Sequence, residues 1–110
     1  MIVVSNTSPV INLAVVNHLN LLQKLYSKVV IPQAVYDEIV IESAGQAGAE
    51  EVEQSEWIEV RPVANRPLVK SLESDLDLGE AEAVVLAVEL KADLLLIDER
   101  KGRAVANRLG

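Results

Sequence analysis

The sequence predicts a single α/β domain in which a parallel sheet lies between two layers of helices. Short apolar strands alternate with helical segments along the 110 residues, a pattern typical of parallel folds with right-handed crossovers. Half of the residues are apolar but only 3% are aromatic, so Val, Leu, Ile and Ala must form the core, as suits a sheet covered on both faces. The length suits one domain, and no repeat or linker divides residues 1–110.

The first half contains two predicted strands with their helices. In chain order these are a strand at 2–5, helices at 9–16 and 19–26, a strand at 29–31, and a helix from Pro32 to about residue 43. Ser8 is a plausible N-cap for the first helix, because Pro9 then occupies the first helical position.

The second half follows a break at 45–48, which contains two glycines. Its predicted elements are a helix at 49–55, a strand at 57–61, helices at 67–74 and 80–91, a strand at 93–97 and a final helix at 99–109. The strand at 93–97 is indicated by four consecutive apolar residues after Asp93.

Charge and cysteine content exclude several classes of protein. Acidic residues outnumber basic ones 17 to 10, giving a net charge of −7, which argues against a protein that coats nucleic acid or membranes. A nucleic-acid site at which metal cations offset the charge remains open. The chain has no cysteine, so disulfides and thiolate metal sites are excluded. With no signal peptide or transmembrane-length apolar run, we expect a cytoplasmic protein that does not contact membranes.

Three acidic residues occupy positions where a charge is costly. At about 100° per residue, Glu80 heads a small apolar stripe of its helix, whereas Glu82 and Glu89 fall on the opposite side and predict a solvated acidic face. Asp98 ends an apolar strand, and Glu38 lies along the apolar edge of its helix. Each has an ordinary alternative: Glu80 complements the helix dipole, Asp98 caps a helix, and Glu38 is a boundary residue.

These residues converge if the first and last strands are neighbours. Asn6 and Asp98 then leave the sheet side by side at the switch point, where open α/β sheets bind their ligands. Glu80 and Glu38 follow on the adjoining helices. An all-oxygen ligand set of this kind suits Mg²⁺ or Mn²⁺.

At this point the chain resembles a PIN-domain protein of the toxin-like ribonuclease group, the VapC-like toxins of toxin–antitoxin systems. The matching stretches are VVSNTSPVINLA, VVIPQAVYDEI, LGEAEAVVLAVELKADLLLIDERKGRAVA and, more weakly, WIEV. Their order and spacing are more specific than any one of them. The resemblance implies a metal-dependent endoribonuclease with strand order 3-2-1-4-5. By position, Asn6, Glu38, Glu80 and Asp98 match the family's four catalytic and metal-binding positions, and Ser8 matches a supporting hydroxyl.

The chain departs from the family pattern in three ways. Asn6 replaces the first aspartate, and an uncharged amide predicts weaker metal binding and slower or absent hydrolysis. The family continues into a fifth strand, which we expect to be missing here, and we therefore expect either a truncated domain or a homodimer or higher oligomer that pairs through the exposed sheet edge. Leu96 replaces a threonine of many relatives, with a modest expected effect.

Basic residues of the last predicted helix are candidate RNA contacts. Arg100, Lys101, Arg103 and Arg108 follow Asp98 and could hold phosphates, or they could form a solvated helix with cations near its C-terminus. The acidic stretch 50–56 is either a solvated face or a surface for a basic antitoxin.

Two other functions compete with the ribonuclease. A catalytically inactive PIN-like module that binds protein or RNA is favoured by Asn6 and by the short C-terminal part. A flavodoxin-like or receiver-type signalling domain is weaker, because the first strand lacks an acid pair and no phosphoacceptor–lysine pattern follows.

Overall fold

The computed structural model describes residues 1–98 and contains one parallel sheet in that range. Its strands are β1 (Val3–Ser5), β2 (Val29–Pro32), β3 (Ile58–Arg61) and β4 (Leu94–Leu96). The sheet order is β3-β2-β1-β4, and every adjacent pair is parallel. The predicted order 3-2-1-4 is therefore confirmed, and β1 and β4 are neighbours. The predicted last helix, 99–109, lies outside the described residues.

Six α-helices and one π-helix connect the strands within residues 1–98. They are α1 (Thr7–Val15), α2 (Asn20–Tyr26), α3 (Gln33–Tyr36), the π segment (Asp37–Glu42), α4 (Ala49–Gln54), α5 (Arg66–Leu72) and α6 (Leu78–Leu90). The prediction of Ser8 as N-cap of α1 is wrong, because the cap is Asn6, whose backbone is extended (φ −81°, ψ 178°). None of these helices combines the length and the apolar character that a membrane crossing requires.

The strands alternate their side chains between two cores, one on each face of the sheet. Val4 and Val30 pack with apolar residues of α5 and α6. Val3, Val29 and Ile31 pack on the other face with residues from α1, α2, α3, the π segment and α4. This alternation follows the pleat of a strand and produces the predicted three-layer α/β/α arrangement.

The long helix predicted from Pro32 changes its winding at residue 37. The Ser43 amide donates to the Glu38 carbonyl across 3.1 Å, the five-residue spacing of a π-helix, which is rare and occurs often at functional sites. The segment ends in a turn that leads to Gly48. This glycine is the N-cap of α4 and has a positive φ of 97°. The predicted break at 45–48 is confirmed.

An exposed ion pair links the start of β2 to β3. Lys28 Nζ lies 2.5 Å from Glu59 Oε1, and Arg61 donates to Glu59 Oε2 across 3.1 Å. The hydrogen bond from Lys28, followed by the one from Arg61, holds the pKa of Glu59 below its ordinary value of 4.5.

Candidate functional site

The candidate site lies at the carboxyl ends of the neighbouring strands β1 and β4. Asn6 follows β1 directly and is 3% exposed, and its backbone amide donates to the Leu96 carbonyl of β4 across 2.9 Å. In the same register Ser5 pairs with Leu96, so Asp98, two residues further along, leaves the same edge of the sheet. Asp98 is exposed there. The predicted adjacency of these two chain segments is therefore observed.

Glu38 reaches this edge from the opposite direction, on the first turn of the π segment. Its Oε2 accepts a hydrogen bond of 2.7 Å from the Thr7 hydroxyl. Since Thr7 follows Asn6, this bond ties the Glu38 carboxylate to the end of β1. Ser8, which the family resemblance assigned to support the first position, Asn6, is exposed; its predicted role stays a prediction, and Thr7 is the hydroxyl that contacts Glu38.

Gly79 explains how Asn6 and Glu38 fit beneath α6. A Cβ placed on Gly79 would lie 3.2 Å from Glu38 Oε2 and 3.7 Å from Asn6 Oδ1. The two side-chain oxygens therefore approach the same small volume, which any larger residue at position 79 would fill. Gly79 was not predicted to belong to the candidate site, although its place next to the candidate Glu80 was a usable signal.

Glu80 is 8% exposed, and its side chain takes part in capping α6. The Asp77 carboxylate accepts from the Glu80 amide at 2.8 Å, and Glu80 Oε1 accepts from the Asp77 amide at 2.9 Å. This reciprocal pair is a capping box. The structure thus shows the ordinary alternative for Glu80, a stabilised helix N-terminus, while its role as a metal ligand stays a prediction.

Glu82 does not lie on a solvated face, and that part of the helical-wheel prediction is wrong. It is 5% exposed and accepts two hydrogen bonds, from the Ala34 amide at 2.9 Å and from Arg66 at 2.7 Å. Residues 79–86 are all buried, because α6 is covered by other elements around its first two turns. The mostly apolar run AVVLAV after Glu82 was the available signal, since a helix that is apolar all round is buried.

An acidic cleft of about 360 Å³ opens beside Glu38, between α3 with the π segment and the start of α6. Its carboxylates are Asp37, Glu38, Glu42, Asp77 and Glu82. These like charges repel one another, and only the negative charge of Glu82 is paired, with Arg66, among the described contacts of the cleft. The cleft therefore favours cations over anions. The predicted RNA contacts Arg100, Lys101 and Arg103 lie outside the described residues.

A comparison with protein families adds to this geometry. The family model described as DUF3368: PIN domain matches residues 2–110. The chain belongs to the PIN-domain family. PIN domains share a nuclease-type fold and as a class use divalent metal ions. The toxin-like subgroup stays a prediction for this PIN domain. Searches of curated proteins and of solved structures found no significant match.

The residues of this PIN domain fit a divalent ion through the chemistry of their donors. Asn6 and Glu38 present an amide oxygen and a carboxylate oxygen to the space at Gly79, and hard cations prefer oxygen ligands. Within residues 1–98 no group of three or more Asp, Glu, His or Cys side chains is arranged to hold a metal. Mg²⁺ needs only one or two carboxylates, because water and substrate phosphate complete its coordination.

Proposed function

We propose that this PIN-domain protein is a metal-dependent endoribonuclease that hydrolyses phosphodiester bonds, as the toxins of toxin–antitoxin systems do. One observation carries the proposal: Asn6 Oδ1 and Glu38 Oε2 both lie within 4 Å of the Cβ position of Gly79. The pairing of β1 with β4 brings Asp98 to the same sheet edge. Oxygen donors from two separate segments, Asn6 and Glu38, thus approach one point at the end of the sheet where parallel sheets bind ligands.

In this mechanism Asn6 and Glu38 would hold a Mg²⁺ or Mn²⁺ ion, with Asp98 and Glu80 as the further proposed ligands. When bound, such an ion would supply Lewis-acid polarisation of the scissile phosphate and activation of a water for in-line attack. Thr7 fixes the orientation of the Glu38 carboxylate through its 2.7 Å hydrogen bond. Because other carboxylates also line the cleft, their charges would repel a phosphate and disfavour direct contact of the RNA backbone with this surface.

Asn6 sets the expected level of activity. Its amide oxygen can coordinate a hard cation, but it lacks the charge of the aspartate that occupies this position in the family pattern. We therefore expect weak metal binding and slow hydrolysis, and we expect Asn6→Asp to increase both.

The test is Mn²⁺-dependent cleavage of single-stranded and structured RNA by the native chain and by Asn6→Asp. We expect faster cleavage by the aspartate form and no cleavage when Glu38→Gln is added. Glu53→Gln, an exposed substitution on α4, is the matched control and should leave the rate unchanged. An absence of both cleavage and Mn²⁺ binding in the native and Asn6→Asp forms would contradict the proposal.

A second candidate is a catalytically inactive PIN module that binds protein or RNA. It is favoured by the amide at Asn6 and by the use of the Glu80 carboxylate in the capping box. The same assay separates the two, because an inactive module would bind its partner without cleavage even after Asn6→Asp.

Further proposals concern partners and location. We propose RNA as substrate, and a basic antitoxin that contacts the acidic surface around α4, where Glu50, Glu51 and Glu53 are exposed.

We also propose a homodimer or higher oligomer that covers β4, since Leu94 is 38% exposed at an edge of the described sheet. A single monomeric species in sedimentation would contradict the oligomer. The lack of cysteine supports a reducing, cytoplasmic location.

A further inference from the structure

We propose that a second cavity, on the other side of Glu38 from the acidic cleft, binds one nucleobase of the RNA strand and selects among bases. This inference rests on the proposed ribonuclease function. The cavity, here called the neutral groove, has a volume of about 300 Å³. It runs between α1 and the turn after the π segment, and its lining includes Ser8, Ile11, Asn12, Ser43 and Gln46.

The charge of the two cavities differs sharply. Among the described residues, five carboxylates line the acidic cleft, whereas Glu38 is the one ionisable residue that lines the neutral groove. Residues 1–98 thus place no cation in the groove to attract a phosphate and little charge to repel an uncharged group. Of the parts of a nucleotide, the base is therefore the one that this groove favours.

The chemistry of the lining matches a base in a second respect. A nucleobase has a polar edge and two apolar faces, and unstacked bases of single-stranded RNA are recognised by hydrogen bonds to their edges. The groove offers hydroxyl groups at Ser8 and Ser43 and amides at Asn12 and Gln46, beside the apolar Ile11 and Val15. Its volume is near the lower end of the roughly 300–1,000 Å³ of small-molecule pockets.

The lining also indicates base selectivity. In the part of the chain that the structure describes, no aromatic residue lines the neutral groove, so a base there does not stack on an aromatic ring, a contact that accepts every base. Recognition must then come from hydrogen-bond donors and acceptors, whose pattern differs between bases.

The neutral groove is continuous with the proposed reaction centre. Glu38 lines both cavities, and Thr7, which lines the groove, donates to Glu38 Oε2. A nucleotide whose base occupies the groove would have its sugar-phosphate next to Glu38. The groove thus selects the base beside the cleaved bond.

The test compares the binding of four fluorescent single-stranded RNA homopolymers in Ca²⁺, followed by cleavage rates in Mn²⁺. Asn12→Ala and Gln46→Ala, alone and together, remove amides from the groove and leave Glu38 and Thr7 in place. Asn20→Ala with Gln23→Ala, exposed amides on α2, is the matched control. Thermal unfolding verifies that each variant is folded.

We expect the native chain to bind one or two of the homopolymers more tightly than the others. In the double variant Asn12→Ala with Gln46→Ala, this ratio of affinities should fall about fivefold, the effect of one or two neutral hydrogen bonds. The salt dependence of binding, which reports phosphate contacts, should stay unchanged, as should the preference of the control. A native chain that binds all homopolymers equally, or a groove variant that keeps the full preference, would overturn the inference and leave the ribonuclease proposal intact.

Two other outcomes would also decide against the groove. If neither the native chain nor Asn6→Asp binds or cleaves RNA, both proposals fail together. If the groove variants bind and cleave RNA like the native chain but no longer bind a protein partner, the groove is a protein-binding surface and the nucleobase inference is overturned.

Discussion

Gly79 brings the backbone of α6 against the side chains of Asn6 and Glu38, so a single methyl group there tests the candidate site. We predict that Gly79→Ala still folds, because the higher helix propensity of alanine, up to about 1 kcal/mol, offsets the cost of displacing the Glu38 carboxylate at the end of its flexible side chain. We predict that its affinity for Mn²⁺ falls about tenfold or more, because the new Cβ would lie 3.2 Å from Glu38 Oε2 and small displacements of reacting groups are costly.

The measurements are thermal unfolding and Mn²⁺ titration, in the native and Asn6→Asp backgrounds. Val88→Ala, at an exposed position of the same helix, is the control for a change in α6 that does not face the site. A folded Gly79→Ala protein with undiminished Mn²⁺ affinity would show that the space beside Gly79 does not hold the ion.

For individual residues, the sequence predicted the location of the candidate site better than the hydrogen bonds of its side chains. Asn6 and Glu38 were placed correctly at one edge, because strand ends and helix starts follow from the apolar pattern. The hydrogen bond from Thr7 to Glu38 was not predictable, since it joins residues 31 positions apart. Glu82 was placed in solvent because a helical wheel shows which residues share a side, but not how many sides of the helix are covered.

Among the elements, the turn between the π segment and α4 depends on glycine. Gly48 has φ +97°, and a Cβ there would lie 3.0 Å from Ile11 Cδ1. Gly45 has φ +85° but nothing within 4 Å of its Cβ position. We predict that Gly48→Ala lowers the free energy of unfolding by about 1–2 kcal/mol from left-handed backbone strain, with a further loss from crowding against α1.

Gly45→Ala is the matched control, because it introduces the backbone strain without the crowding. Urea unfolding of both variants measures the difference. Equal losses of stability would mean that α1 moves to accommodate the methyl group and that the contact at Gly48 is not tightly packed.

The ion pair between β2 and β3 predicts a small dependence of stability on pH. Lys28 and Arg61 lower the pKa of Glu59 in the folded chain, so the folded state favours the charged carboxylate. The resulting stabilisation is complete above the ordinary pKa of about 4.5 and is lost as the pH falls through the lowered value. An exposed pair of this kind contributes at most about 1 kcal/mol.

The check is urea unfolding of the native chain and Glu59→Gln at pH 7 and pH 3. The native chain should be slightly more stable at pH 7, and the difference should shrink at pH 3. A difference that grew on acidification would contradict the assigned direction of the pKa shift. Glu53→Gln, on the exposed side of α4, controls for the removal of one negative charge.

Elements were predictable where the residues repeat a simple period. The four strands and most helices were found within a few residues, since short apolar runs such as Leu94–Leu96 between turn residues are typical of buried strands. The π segment was not predictable, because residues 33–42 have an ordinary helical composition. The π segment packs against α1 and α4, and such contacts between distant segments are not contained in any local pattern.

For the molecule as a whole, net charge and site chemistry make one joint prediction. The chain carries a formal charge of −7 and an acidic cleft beside Glu38, so RNA should be repelled unless divalent cations are bound. We predict weak RNA binding in EDTA and at least tenfold tighter binding in millimolar Ca²⁺ or Mn²⁺. Fluorescence anisotropy at constant ionic strength, adjusted with KCl, measures this.

The KCl adjustment matters because monovalent salt screens charges generally, whereas the prediction concerns ions held at the site. Glu38→Gln should reduce the divalent effect, and Glu53→Gln should not. Binding of equal strength in EDTA and in Ca²⁺ would instead indicate a basic RNA surface elsewhere on the chain.

The amino ends and the carboxyl ends of the parallel strands lie at opposite ends of the sheet. Asn6, Asp98 and the acidic cleft occupy the carboxyl edge, while Met1 is 80% exposed and Ile2 is bonded to Asp93 at the opposite edge, before β1 and β4 begin. A tether attached at the amino terminus would therefore point away from the cleft. Immobilised through that end on a sensor chip, the protein should keep its cleft open to the surrounding solution.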